Sequence, residues 1–167
     1  MNLRGEFVGM AQGMVLAGLA WAGMAGAQMS SSPADRNAVG GCDLVVHVDG
    51  LRNARGKVGT TVFNSQDGWP EKNEKSFRHG PSNIEATPQG LESTKIWKGL
   101  PPGDYAVAAI HDENENHKLD RNFFGLPTEG FGFANNPHVG LSAPSFQKSV
   151  VHLSCPSTET TIHLQYR

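Results

Sequence analysis

The chain has 167 residues with 14 basic and 16 acidic side chains, a formal net charge of −2, and 38% hydrophobic residues. That balance gives no electrostatic footprint for nucleic acid or for an anionic membrane surface. The length suits one domain with a real hydrophobic core.

In chain order, residues 1–27 read as a secretory signal peptide. Arg4 supplies a positive start, Val8 to Gly23 is apolar and uncharged, and Ala25-Gly26-Ala27 forms a small-x-small cleavage site before Gln28. Interspersed glycines and Gln12 make this stretch a poor membrane span, and no other spanning run follows it. The expected location is therefore periplasmic or secreted. Residues 28–41 are Ser-, Ala- and Gly-rich without periodicity and read as a flexible leader. A single domain is expected over 42–167.

Cys42 and Cys155 are the two cysteines and lie near opposite ends of that domain. In an exported chain an even pair predicts a disulfide. It joins the first strand to the turn between the last two, and in the chain-entropy view contributes roughly 4–5 kcal/mol.

Period-2 alternation predicts half-buried strands. The runs are Leu44 to Val48, Val58 to Phe63, Thr94 to Lys98, Tyr105 to Ile110, Gln147 to Ser154 and Thr160 to Tyr166, with a weak addition at Ile84 to Thr87. Pro70 to Arg78 is the one helix candidate, opened by Pro70 and closed by Gly80. Gly56 and the Gly99-Leu100-Pro101-Pro102-Gly103 reversal mark turns. The expected fold is all-β: an antiparallel sandwich of about seven strands, immunoglobulin-like or transthyretin-like, with a long irregular loop after the fourth main strand.

That loop carries the chemistry. Asp112, Asn114, Asn116 and Asp120 occupy positions 1, 3, 5 and 9 of a tight turn, with the Lys118 backbone carbonyl at 7. This spacing wraps a hard cation, with Ca²⁺ expected over Mg²⁺ for so irregular a donor set. Position 6, usually Gly, is His117, which has to take a positive φ there. Position 12, usually the closing Glu, is Phe123, so Glu129 is the first choice of closing carboxylate, with Glu113 and Glu115 as poorer ones that point outward if the loop wraps. The competing reading is an Asp/Asn-rich turn that hydrogen-bonds its own backbone without an ion.

Phe123, Phe124, Phe131 and Phe133 follow in a Gly-rich stretch and are expected to cover one open end of the sandwich. An alternative function is a ligand-binding module for a glycan, lipid or pigment, using Trp69, Trp97, Phe124, Phe131 and Phe133. Seven histidines raise the question of zinc or copper, with His111 and His117 close in sequence and His47 near His163 if their strands pair. No HxH or HExxH spacing supports such a site. No nucleophile elbow, phosphate-cradling loop or dinucleotide fingerprint occurs either, so a non-enzymatic protein is expected.

Three segments carry a family resemblance: Gly99-Leu100-Pro101-Pro102-Gly103-Asp104-Tyr105-Ala106-Val107, His111 to Asp120, and Phe124-Gly125-Leu126-Pro127-Thr128-Glu129-Gly130-Phe131-Gly132-Phe133. Together they resemble the core motif of the bacterial family called domain of unknown function 2141, with weaker likeness from about Asp43 to Tyr166. The resemblance implies a small exported β-sandwich with no assigned activity, and with Gly where this chain has His117. The Leu100 to Val107 turn is also similar, at the level of fold alone, to transthyretin-like and carboxypeptidase-regulatory-like modules.

Overall fold

A computed structural model describes residues 41–167; the expected signal peptide, and the expected leader apart from residue 41, lie outside the described residues. Nine strands follow one another: β1 (Cys42–Asp49), β2 (Lys57–Phe63), β3 (Arg78–Ser82), β4 (Glu85–Thr87), β5 (Gly90–Leu100), β6 (Gly103–Asp112), β7 (Gly130–Phe133), β8 (Val150–Leu153) and β9 (Ser157–His163). They form two sheets, one ordered β4-β5-β1-β9 and the other β3-β2-β6-β7 with β8 also paired to β6. The architecture is a β-sandwich. Among the described residues no helix is long and apolar enough to cross a membrane.

Alternation explains the core. Leu44, Val46 and Val48 of β1 face Val58 and Val62 of β2, Tyr105 and Val107 of β6, Leu153 of β8 and Ile162 of β9 in one buried cluster. Each fully buried Val, Leu or Ile side chain is worth about 1.5–3 kcal/mol against an exposed one. Cys42 and Cys155 are joined, closing a separation of 113 residues between β1 and the β8–β9 turn. On the chain-entropy scale a loop of that size contributes about 5 kcal/mol.

Several expectations are corrected. Pro70 to Arg78 is no helix: only a 3-10 turn forms at Asn73–Lys75, and Arg78 already belongs to β3. Fewer than three turns are too short to repay helix nucleation without an apolar face to bury. Strands β3 and β7 add to the expected seven. One pair is parallel, β1 with β9: these first and last strands are joined by no hairpin that would force them antiparallel. In that register His47 stands opposite Thr161 and Asp49 opposite His163, so the two histidines are offset. His163 bonds Asp49, and His47 bonds Thr94 at 3.2 Å.

Candidate functional site

Strand β6 runs Tyr105, Val107, Ala109 and His111 into the core and delivers Asp112 to the sheet end. His111 is fully buried, with Nε2 donating to the Arg55 carbonyl at 2.7 Å and Nδ1 accepting from the Tyr166 hydroxyl at 2.8 Å. Gly56, at φ +70°, lets the β1–β2 turn lie directly on this strand end. A Cβ there would sit 1.9 Å from the Asp112 carbonyl oxygen. The start of the loop is thereby fixed from two sides.

Beyond it the chain wraps. Asp112 Oδ1 accepts from the Asn116 N–H at 3.0 Å and Oδ2 from the His117 N–H at 2.7 Å. Asn114 Oδ1 accepts from the Asn116 N–H at 3.1 Å, and Asn116 Oδ1 from the Lys118 N–H at 2.9 Å. These successive Asx turns need positive φ at Glu115 (58°) and His117 (64°), the second being the conformation expected for position 6. The side chains of Asn114, Asn116 and Asp120 converge: the two amides donate to Asp120 Oδ2 and Oδ1 at 2.7 and 2.9 Å. Taking up a cation would require these amides to rotate and present oxygen in place of N–H.

Glu129 closes the loop. It is 4% exposed; Oε1 accepts from the Glu113 N–H at 2.8 Å and Oε2 from the Asp120 N–H at 3.1 Å. One carboxylate thus ties both ends of the turn through charge-assisted bonds. Among the described residues no three His, Cys, Asp or Glu side chains are grouped to share one metal ion. The reason is visible in the bonds: the Asp112 and Glu129 oxygens are directed at backbone N–H groups, and the inward donors between them are amides. His111 and His117 do not meet, since the first is buried between Tyr166 and Arg55 and the second is exposed, 3.9 Å from Asp112.

Glu113 departs from the outward orientation expected of it. Its carboxylate accepts from Arg52 Nε at 2.6 Å, Asn53 Nδ2 at 3.2 Å and Arg55 at 3.1 Å. The Arg52 bond, helped by Asn53, outweighs burial and holds its carboxyl well below the usual range, at about 2. Burial in turn pushes the Tyr166 hydroxyl up. Glu115 does face outward, pairing with Lys57 at 3.2 Å.

The aromatic residues divide. Phe131 and Phe133 are buried on the outer face of the five-stranded sheet with Ala108, packed against Trp69, Ile110, Leu119 and Val139. Phe123 and Phe124 instead stand 98% and 83% exposed at a tight hairpin tip, where Asn122 Oδ1 accepts from the Phe124 and Leu126 N–H groups. They do not cover the sandwich end as expected, because the tip carries them off the sheet. Trp97 lies in the other sheet, opposite Leu44, and packs on the main core. An open groove of about 1130 Å³ remains over the outer sheet face, bordered by the Asp/Asn loop. Sequence reasoning overlooked this floor. Its signal was β6 itself, where Ala106, Ala108 and Ile110 leave the strand apolar on both faces, as in sheets covered on both sides.

Fold and loop together define a disulfide-stapled β-sandwich with an Asp/Asn-rich wrapped turn at one sheet end. The chain belongs to the bacterial family described as "Uncharacterized protein conserved in bacteria (DUF2141)", which matches residues 46–162. No curated protein and no solved structure matches it.

Proposed function

We propose that this is an exported, non-enzymatic binding module whose loop from Asp112 to Asp120, closed by Glu129, takes up Ca²⁺ in a structural role. The observation that carries the reading is the convergence of Asn114 and Asn116 on Asp120 at 2.7 and 2.9 Å, inside a turn whose ends are already pinned by Asp112 and Glu129. Rotation of the two amides, which exchanges the Asn116 and Lys118 N–H bonds to Asn114 Oδ1 and Asn116 Oδ1 for ion contacts, turns that cluster into an oxygen set of the kind hard cations take. The Lys118 carbonyl is the backbone donor in this scheme. Export is supported by the disulfide and by the small-x-small site at Ala25-Gly26-Ala27.

A site with few carboxylates binds weakly, on the order of 10⁻⁴–10⁻³ M. At 10 mM Ca²⁺ that affinity stabilises the fold by about 1.4–2.7 kcal/mol. Melting with Ca²⁺ against melting with chelator tests it. The expected result is a higher melting temperature in Ca²⁺ for the native protein and none of that gain in Asp112→Ala. Superimposable melts of the native protein in the two buffers would remove the ion and leave a self-bonded turn.

A further inference from the structure

We infer that the outer face of the β3-β2-β6-β7 sheet binds a small amphipathic anion, a molecule with a flat apolar body and a single carboxylate- or sulfonate-type group. The inference stands apart from the cation reading, because the loop already forms a groove wall through its own hydrogen bonds.

The floor follows from register. Gly59, Ile110 and Phe131 lie side by side across β2, β6 and β7, and Thr61, Ala108 and Phe133 form the next row. The outer face of an antiparallel sheet is ordinarily solvated and polar. Here Ala108, Phe131 and Phe133 are 8%, 5% and 7% exposed. Ile110 leans over Gly59, where a Cβ would meet its Cγ1 at 3.1 Å, while Ala108 carries only a methyl, so the low point of this face is a trough at Ala108 beside two phenylalanine rings. Trp69, Leu119 and Val139 pack over part of this floor, and the surrounding loops leave a groove of about 1130 Å³ that Leu119 and Val139 line together with it. Apolar concavities of this order, with a few placed polar groups, are the usual form of small-molecule sites.

Charge selects the occupant. Four cations and four carboxylates border the groove. Lys57 is paired with Glu115 and Arg121 with Glu71, while Asp112 is turned onto its own loop backbone. Lys118 and Arg167 make no ion pair among the described residues, against one such carboxylate, Glu74 on the 3-10 turn. Arg167 lies with Cζ 5.7 Å from the centre of the Phe131 ring, and its Nη2 donates to the Val139 and Gly140 carbonyls. Its Nε and Nη1 donors stay available to an anion whose apolar body lies against Leu119, Val139 and the exposed edge of the Phe131 cluster. A sugar is a poorer fit, because the floor offers few polar groups and the Thr61 hydroxyl already donates to Asn73.

Two fluorescent probes test this on the intact protein: 1-anilinonaphthalene-8-sulfonate and its neutral counterpart N-phenyl-1-naphthylamine. The sulfonate is expected to bind one per chain with a dissociation constant on the order of 10⁻⁵ M, and the neutral probe at least about tenfold more weakly. Ala108→Phe, which fills the trough, should abolish binding of both. Lys118→Gln combined with Arg167→Gln keeps Ala108, Phe131 and Phe133 and replaces the Arg167 contacts with a shorter polar side chain. It should bring the sulfonate down to the neutral probe's affinity, so the inference remains testable if the floor variant fails to fold. Equal affinity for the two probes would overturn it. So would loss of binding in Phe123→Ser/Phe124→Ser with retention in Ala108→Phe, which places the probe on the hairpin tip instead.

Discussion

Glu129 offers the sharpest perturbation, because one buried side chain holds both ends of the wrapped turn. Its two oxygens accept from the Glu113 and Asp120 N–H groups at 2.8 and 3.1 Å. Hydrogen bonds to a charged group contribute about 1.5–3 kcal/mol each. Glu129→Gln keeps one oxygen and sets an amide N–H₂ against a backbone donor, so about 2–3 kcal/mol should be lost. Glu129→Leu removes both acceptors and strands two N–H groups in a site that is 4% exposed, at a cost of about 3–5 kcal/mol. Urea unfolding with the disulfide intact measures this. With a slope of about 1–3 kcal/mol per molar, the Gln variant should unfold at least about 0.7 M earlier and the Leu variant earlier still. Hydrogen exchange should show the Glu113 and Asp120 amides losing protection before the strands do. A midpoint within about 0.2 M of the native value, with those two amides still protected, would refute the bridging role.

Two further outcomes follow from the same geometry. The Glu113 carboxyl titrates at about 2 in the fold against an ordinary value of 4.5, so its contribution is full above about pH 5 and is lost as pH falls toward 2. The shift alone corresponds to about 3 kcal/mol, reduced to about 1–2 kcal/mol because Arg52 and Arg55 are exposed. Glu113→Gln should flatten the acid limb of the stability curve measured between pH 5 and 2.5. Gly130→Ala places a Cβ 2.5 Å from the Tyr166 ring, which is held by bonds to His111 and Arg52. It should cost about 1–3 kcal/mol of overpacking in the same urea assay, whereas Gly140→Ala, with open space around it, should change little.

The legible strands are those with a period-2 pattern of β-branched, aliphatic or aromatic residues. β1, β2, β6 and β8 announce themselves by aliphatic alternation. β5 and β9 do so by alternation of threonine, isoleucine and tryptophan, although β5 turns Ser93 and Trp97 inward and Ile96 outward. The pairing of Cys42 with Cys155 follows from their being the two cysteines of a chain expected to be exported. β3 was illegible because Arg78 to Ser82 contains no aliphatic residue and a proline, as an edge strand can. β7 was hidden by its glycines. Gly130 and Gly132 face inward where Tyr166 and Ile162 leave no space for a Cβ, each at 2.5 Å, so its period-2 signal is Gly against Phe rather than polar against apolar. At the loop, the positions of Asp112, Asn114, Asn116 and Asp120 and the left-handed His117 were readable from spacing. The role of Glu113 was not, because its partners Arg52, Asn53 and Arg55 arrive from a turn some 60 residues away. The groove was equally non-local, assembled from three strands and the loops around them.

Equilibrium dialysis of the purified, chelator-treated protein against ⁴⁵Ca²⁺ is the most direct test of the proposal that a cation orders the loop. One ion per chain is predicted, with half-saturation on the order of 10⁻⁴–10⁻³ M, and no binding in Asp120→Ala, which removes the carboxylate on which Asn114 and Asn116 meet. Retention of no calcium by the native chain at 10 mM, or equal retention by the native chain and the Asp120 variant, would contradict the account.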